Sequence, residues 1–493
     1  MTFLKKYYLL FLILIFSSIL ISTNLNKPFF GHHDWNSAWY SHIARNFLKY
    51  GFLQTKFGSV MNLEYTTPEN FQFSTHYPPV LPIALALSFK FFGIHEWTAR
   101  IIPLLFSLGT ITAIYFLGVK FFNKKTAVLA SIFSTLMPLV VYFGKMPVQE
   151  VLTLAPVLLS VIFYFEFFQK PRRKNLLKVI ASLVFSHLIN WPGYYVTPLF
   201  FLHFLLFSKT KNKLLFASIF PMVSLSMFVL HALHLLILTK DPLGGGMIKI
   251  LLFRLNLSEK SLGYSNLGYL NNQFHLILTY FTKPIVFLAA VTVVWMLKNY
   301  SKWKTSSQIQ LLIILGIFGI VHNLVFRNMG FIHDYMIIYM WPFFALSAAW
   351  GFFLLLDKLN LKSKSKAIIL ATIVCILIIF PSRKFVAALQ NSQNFKVGYD
   401  LGILIKERTN QKDNVLVLSP DFGTYYNVYA NFYSDRNIIF NIPTENILQI
   451  AKSGDYKLII AIPNRDTPKS QLEALQKNYK ETKIGEFNIF NIK

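Results

Sequence analysis

The sequence predicts an all-α polytopic membrane domain of about eleven transmembrane helices, followed by a small C-terminal α/β domain on the extracytoplasmic side. Three observations lead there. Hydrophobic residues make up 54% of the 493 and charged residues only 14%, whereas a soluble domain carries about 25% charged residues. Apolar runs near the length of a membrane-spanning helix, roughly 20 residues, recur as far as residue 380. The net charge of +27 falls in short Lys/Arg clusters between those runs, which is the distribution of a multi-pass membrane protein and not of a nucleic-acid-binding one. The single cysteine, Cys375, excludes an internal disulfide and a cysteine metal cage; within its apolar run it reads as a small buried hydrophobe.

The expected spans are 7–22, 97–122, 127–143, 151–168, 176–190, 194–207, 214–238, 276–297, 311–326, 335–356 and 367–380, with Trp191-Pro192-Gly193 a tight turn between two of them. The basic clusters are Lys5-Lys6, Lys124-Lys125, Lys170 with Arg172-Arg173-Lys174, Lys209/Lys211/Lys213, Lys298/Lys302/Lys304 and Lys358/Lys362/Lys364/Lys366. All of them face the cytoplasm if the amino terminus does and if the short segment 80–92, which holds Pro82 and Lys90, does not cross. The first run also fits a signal peptide, but Ser22-Thr23-Asn24-Leu25-Asn26 has no small-x-small cleavage site, so an uncleaved anchor is the expectation.

This topology gives an integral protein of the cell membrane, with residues 1–381 as the transmembrane domain and 382–493 as the extracytoplasmic domain. In the tail, 397–409 and 468–480 read as helices, and 414–418, 437–442 and 457–462 as strands. The loop 239–275 contains Gly244-Gly245-Gly246, which reads as a flexible connector.

The long outer loop, 23–96, carries the most chemistry. It opens Gly31-His32-His33-Asp34-Trp35-Asn36. Residues 35–50 then form an amphipathic pattern, with Trp39, Ile43, Phe47 and Tyr50 on one stripe, Arg45 and Lys49 off it, and Gly51 as the stop. Such a helix would lie in the membrane interface. Asp34 reads either as its amino-terminal cap or as a functional carboxylate at the membrane face. Glu150 reads either as a first-turn acid favoured by the helix dipole or as a second carboxylate at that face. A third group, Arg327 with His333-Asp334-Tyr335, falls in a short outer loop, where the bland alternative is a snorkelling arginine. His32-His33 with Asp34 could also bind a metal, although two adjacent histidines rarely converge on one ion. The chain has no phosphate-binding G-x-x-x-x-G-K-[ST], no G-x-G-x-x-G after a strand and no D-x-D, and no paired mid-span carboxylates such as proton-coupled transport favours.

Together these features resemble the GT-C superfamily of integral-membrane glycosyltransferases, in particular protein O-mannosyltransferase-like enzymes and the aminoarabinose (lipid A) transferases. The resemblance is carried by His33-Asp34-Trp35 with Tyr40–Asn46, by His76-Tyr77-Pro78-Pro79 running on to Gly93, by Ala99-Arg100-Ile101-Ile102-Pro103, by Glu150, by His333-Asp334-Tyr335, and by Tyr425-Tyr426 through Asp435-Arg436. There are departures. Trp35 stands where many relatives have a second acid, Glu150 where many have Asp, and His76-Tyr77 where the aminoarabinose enzymes have a lysine.

The resemblance implies transfer of a sugar from a polyprenyl-phosphate donor to an acceptor hydroxyl, with inversion. Asp34 would be the general base and Glu150 the residue that orients the acceptor. Lys145, Arg327 and His333, backed by His76 and Arg100, would stabilise the donor phosphate. Membrane lipids surround the chain, the acceptor is a glycan, lipid or protein, and no resident cofactor is implied beyond a divalent metal that Glu150 could share. The alternative reading is a lipid or sugar transporter, or flippase, without chemistry.

Overall fold

The computed structural model describes the chain except residues 1, 244–245, 258–261, 362, 444–445, 464 and 493, and the side chains of 2–6. The expected connector Gly244-Gly245 and the cluster members Lys5, Lys6 and Lys362 therefore lie outside the residues or side chains described. By packing, the chain divides into two compact units. One comprises residues 1–25, 75–81 and 100–390; the other comprises 26–74, 82–99 and 391–493.

The first unit is helical. Among the described residues, six helices are long and apolar enough to cross a membrane: Glu96–Phe121, Gln149–Gln169, Lys213–Thr239, Ser307–Val325, Asp334–Lys358 and Lys364–Gln390. A seventh span results if Asn266–Tyr280 and Lys283–Lys298, bent by 110°, are counted as one. Lys213–Thr239 and Lys364–Gln390 leave most of their apolar surface uncovered, a surface that only lipid suits. The protein is an integral membrane protein.

Among the described residues, six or seven spans thus pass by length and composition, against the eleven expected. Two of the expected spans are broken by proline. Residues 127–143 divide into Lys124–Leu136 and Pro138–Phe143, with Met137 extended at φ −62°, ψ 127°. A residue before proline is driven out of the helical region, and proline has no N–H for the preceding turn. Residues 276–297 break at Thr282, ahead of Pro284 near the start of the second helix. Other expected spans are short, as Gly193–Phe207 is; Val80–Phe92, expected not to cross, has only 13 residues, about 20 Å of helix against a hydrocarbon thickness of roughly 30 Å. Conversely, 367–380 belongs to a 27-residue helix, Lys364–Gln390, that continues through Pro381.

Some polar side chains inside these helices are satisfied within their own helix. Ser131, Thr135 and Thr153 each donate to the carbonyl four residues back, the usual solution where no water is available. Small residues allow close approach. Thr292 donates to the Ser347 carbonyl at 2.7 Å, and a Cβ added to Gly351 would lie 2.0 Å from the Leu288 carbonyl oxygen.

The second unit contains a five-stranded sheet. The strand pair β1 (Ser59–Val60) and β2 (Phe73–Ser74) is separate and antiparallel. The sheet consists of β3 (Asn414–Leu418), β4 (Asn437–Phe440), β5 (Leu458–Ala461), β6 (Glu481–Ile484) and β7 (Phe487–Asn491), in the order β4-β3-β5-β7-β6. β3 pairs in parallel with β4 and β5, while β7 runs antiparallel to β5 and β6. Along β3, Val415 and Val417 enter one apolar core with Leu401, Ile405 and Phe422, and Leu416 and Leu418 enter the other with Ile447 and Leu475. Helices cover both faces, so β3 is apolar at successive positions, as buried parallel strands are. The expected helix at 397–409 is Lys396–Arg408, and that at 468–480 is Lys469–Asn478. The helix Pro420–Ser434 and the β6–β7 hairpin were not foreseen.

Replacing Gly351 with alanine should force Lys283–Lys298 and Trp341–Lys358 apart and cost about 1–3 kcal/mol, by analogy with overpacked cores. The check is thermal unfolding of detergent-solubilised protein, where Gly351→Ala should melt below wild type while a substitution at exposed Leu359 should not.

Candidate functional site

In the helical unit, polar side chains from distant segments meet in an otherwise apolar interior. Glu150, in the first turn of Gln149–Gln169, is only 3% exposed. The Asn190 side chain and the Arg254 guanidinium both lie within electrostatic reach of its carboxylate. Asn190 also donates to the Tyr339 hydroxyl at 3.3 Å. Arg254, the last residue of the short helix Met247–Arg254, donates to the Tyr77 hydroxyl at 3.1 Å and sits 5.1 Å from that ring's centroid. Tyr77 is near Glu150, and the Tyr195 hydroxyl lies 3.2 Å from His322 Nδ1. A carboxylate withdrawn from water in this way requires a partner cation and hydrogen-bond donors, and Arg254, Asn190 and Tyr77 are placed to supply them.

His76 belongs to the same group. Its carbonyl accepts from Trp191 Nε1 at 2.6 Å, which ties the segment before Pro78-Pro79 to the 190–193 turn. Burial, and then the nearby Arg254 guanidinium, push its imidazole down to about 4. At neutral pH it is therefore an uncharged hydrogen-bonding group and not a cation.

The other residues expected at the site are placed differently. Arg100 is buried and donates to the carbonyls of Asn24 and Leu25 at 3.3 and 2.9 Å, holding the chain just after the first helix. Lys145 is buried and reaches the Val141 carbonyl at 3.4 Å. Arg327 stacks on Tyr269 and Tyr264, 4.9 and 5.6 Å from their ring centroids. His333 packs beside Tyr335, and Tyr280 donates its hydroxyl to Asp334. Gln273 and Tyr264 bind the same short segment by donating to the Gly330 carbonyl and to Asn328. Arg254 lay in a loop from which no functional residue was singled out; the available signal was one arginine closing an apolar stretch, Met247–Arg254.

Asp34 belongs to the second unit and is 6% exposed. It makes no capping bond to Trp35–Tyr50. Instead its two carboxylate oxygens accept from the Gly31 N–H and the Ser37 hydroxyl, both at 2.9 Å. His33, at φ 58°, takes the left-handed turn that folds the carboxylate back. Helix Trp35–Tyr50 ends at Gly51 as expected, at φ 87°. It is nevertheless not a two-faced interfacial helix, because Arg45, expected on the polar side, is buried. Its guanidinium donates to the Phe432 and Asn431 carbonyls at 2.8 and 3.0 Å and pairs with Asp435 at 3.4 Å. Burial, and then Arg45, push the neighbouring His42 imidazole down to about 3; its Nε2 lies 2.7 Å from the Asn62 carbonyl.

His42 makes stability depend on pH. Its folded pKa lies below the ordinary value of 6.5, so only the unfolded chain takes up the proton as pH falls from 6.5 towards 3. Within that window each pH unit should cost up to about 1.4 kcal/mol. The melting temperature should therefore drop below pH 6.5, and His42→Gln should flatten that dependence, as read from unfolding curves at pH 7.5, 6, 5 and 4.

The family model described as dolichyl-phosphate-mannose-protein mannosyltransferase matches residues 76–237. No curated protein matches the chain. Among solved structures, ArnT from Cupriavidus metallidurans bound to undecaprenyl phosphate superimposes with a TM-score of 0.67 at 12% identity, covering 98% of this chain and 97% of that one. The archaeal oligosaccharyltransferase AglB from Archaeoglobus fulgidus, in complex with an inhibitory peptide and a dolichol-phosphate, gives 0.61 at 13% identity, over 99% of this chain and 74% of that one. The mycobacterial arabinofuranosyltransferase AftD gives 0.55 at 11% identity, and this chain matches 40% of its length. The fold is that of the GT-C glycosyltransferases.

Proposed function

We propose, from the premise of a GT-C fold with mannosyltransferase-like similarity, that this protein transfers a sugar from a polyprenyl-phosphate donor to an acceptor hydroxyl at the extracytoplasmic face of the cell membrane, inverting the anomeric centre. The observation that carries the reading is the buried Glu150–Asn190–Arg254–Tyr77 cluster, a built polar site in a helical unit that otherwise suits lipid. ArnT and AglB, which share the fold, were solved with undecaprenyl phosphate and with a dolichol-phosphate.

In this mechanism the bond between the sugar C1 and the phosphate oxygen breaks as the acceptor oxygen bonds to C1 from the opposite side. Asp34 accepts the acceptor's proton, and polyprenyl phosphate leaves with the bonding pair. The Gly31 N–H and the Ser37 hydroxyl hold the Asp34 carboxylate in position. Charge grows on the departing phosphate, so a preorganised cation there lowers the barrier. Arg254 takes that role, with Tyr77 fixing its guanidinium. His76, neutral at physiological pH, donates a hydrogen bond at most. Glu150 orients the acceptor.

Asp34→Asn preserves shape and removes the base, so transfer should fall by roughly 10²–10⁴-fold while polyprenyl-phosphate binding is retained. Arg254→Lys keeps the charge and loses the planar fork, and should lower turnover more than donor affinity. Both are checked by counting radiolabelled sugar moved from a polyprenyl-phosphate donor to membrane acceptors. Asp34→Asn protein that still transferred sugar at the wild-type rate would exclude Asp34 as the base, and wild-type protein that transferred none would favour a transporter.

A further inference from the structure

The second unit contains a cavity of about 350 Å³ that none of the roles above uses. That is at the small end of the range for ligand pockets, roughly 300–1,000 Å³, and suits a small ligand and not a folded partner. Its chemistry is mixed. The lining includes two carboxylates, Glu96 and Asp435, two cations, Arg45 and Lys406, and two phenol rings, Tyr399 and Tyr433, beside His95 and apolar side chains.

The parts are held in place from behind. Tyr433 donates its hydroxyl to Glu96 at 2.9 Å and accepts the Phe29 N–H at 2.6 Å. Tyr399 stands edge-on to Tyr433, with ring centroids 4.6 Å apart. Arg45 is fixed by two backbone carbonyls and paired with Asp435, which also accepts from Gln411 at 2.9 Å. The four charged groups balance in sign, so the cavity has no net attraction for a phosphate or another polyanion. A hydroxyl both donates and accepts. A ligand carrying several of them needs carboxylate acceptors interleaved with cationic and phenolic donors, and aromatic rings on which its C–H faces can pack.

We propose that this cavity binds a neutral saccharide and serves as the recognition subsite for a glycan acceptor. The assignment to the acceptor rests on the transferase reading above; saccharide binding itself does not. Because binding needs no turnover, the two can fail separately.

The test uses the full chain in detergent micelles and a panel of methyl glycosides and disaccharides of hexoses and N-acetylhexosamines, with saturation-transfer NMR as the readout. At least one saccharide should bind. Asp435→Asn, which suits the left-handed backbone at that position (φ 52°), should weaken binding at least tenfold. Ile403→Trp, filling the cavity from the helix Lys396–Arg408, should do the same, so that misfolding of one variant does not decide the matter. Asp34→Asn should bind as wild type does. The subsite is overturned if no saccharide in the panel binds, if binding survives both cavity variants, or if inorganic phosphate competes as well as the saccharide. A saccharide that binds in the cavity without ever becoming a product would leave saccharide binding standing and overturn its assignment as the acceptor subsite.

Discussion

The helical unit depends on keeping a carboxylate out of water. Glu150 sits near the start of a span where apolar side chains surround it on most sides. Without partners, such a charge would cost several kcal/mol. Its partners are drawn from separate places in the chain: Asn190 from a turn between helices, Arg254 from the end of a short helix, and Tyr77 from the segment before two prolines. Because these segments must come together to satisfy one charge, the broken and short helices around them are not irregularities in a bundle. They bring backbone ends and loops to the depth of the cluster, where continuous spans would present only side chains from their middles.

The second unit solves the same problem differently. Arg45 is buried on the inner side of Trp35–Tyr50 and spends its donors on the carbonyls that end Pro420–Ser434, with Asp435 closing the pair. One arginine thus joins two elements more than 380 residues apart in sequence. It also suppresses protonation of His42 beside it. Asp34 is held by the Gly31 N–H and the Ser37 hydroxyl and not by a side-chain cap on the helix that follows it.

Much of the fold was legible in the sequence. The strand at 414–418 and the helix at 35–50 with its glycine stop stand where expected, because buried parallel strands and glycine-terminated helices leave local signals. The helix Pro420–Ser434 was hidden because its aromatic residues read equally well as a motif, and β6 because an exposed edge strand of four residues carries no apolar pattern. Glu150, in the helical unit, and Asp34, in the second unit, were legible as scarce acids in an apolar chain. Arg254 was not, since a single arginine in a loop looks the same whether it meets solvent or a buried tyrosine.

By itself, then, the sequence determined that the chain is helical and membrane-embedded, that an α/β tail follows, and which few ionisable groups are available for chemistry. Those properties follow from local composition and periodicity, which each stretch carries within itself. Only the tertiary structure decided which charges are paired and which histidines stay neutral. Arg254 and Tyr77 are 177 residues apart, and the desolvation that sets the state of His76 or His42 comes from segments brought in by packing, which no local window of sequence contains.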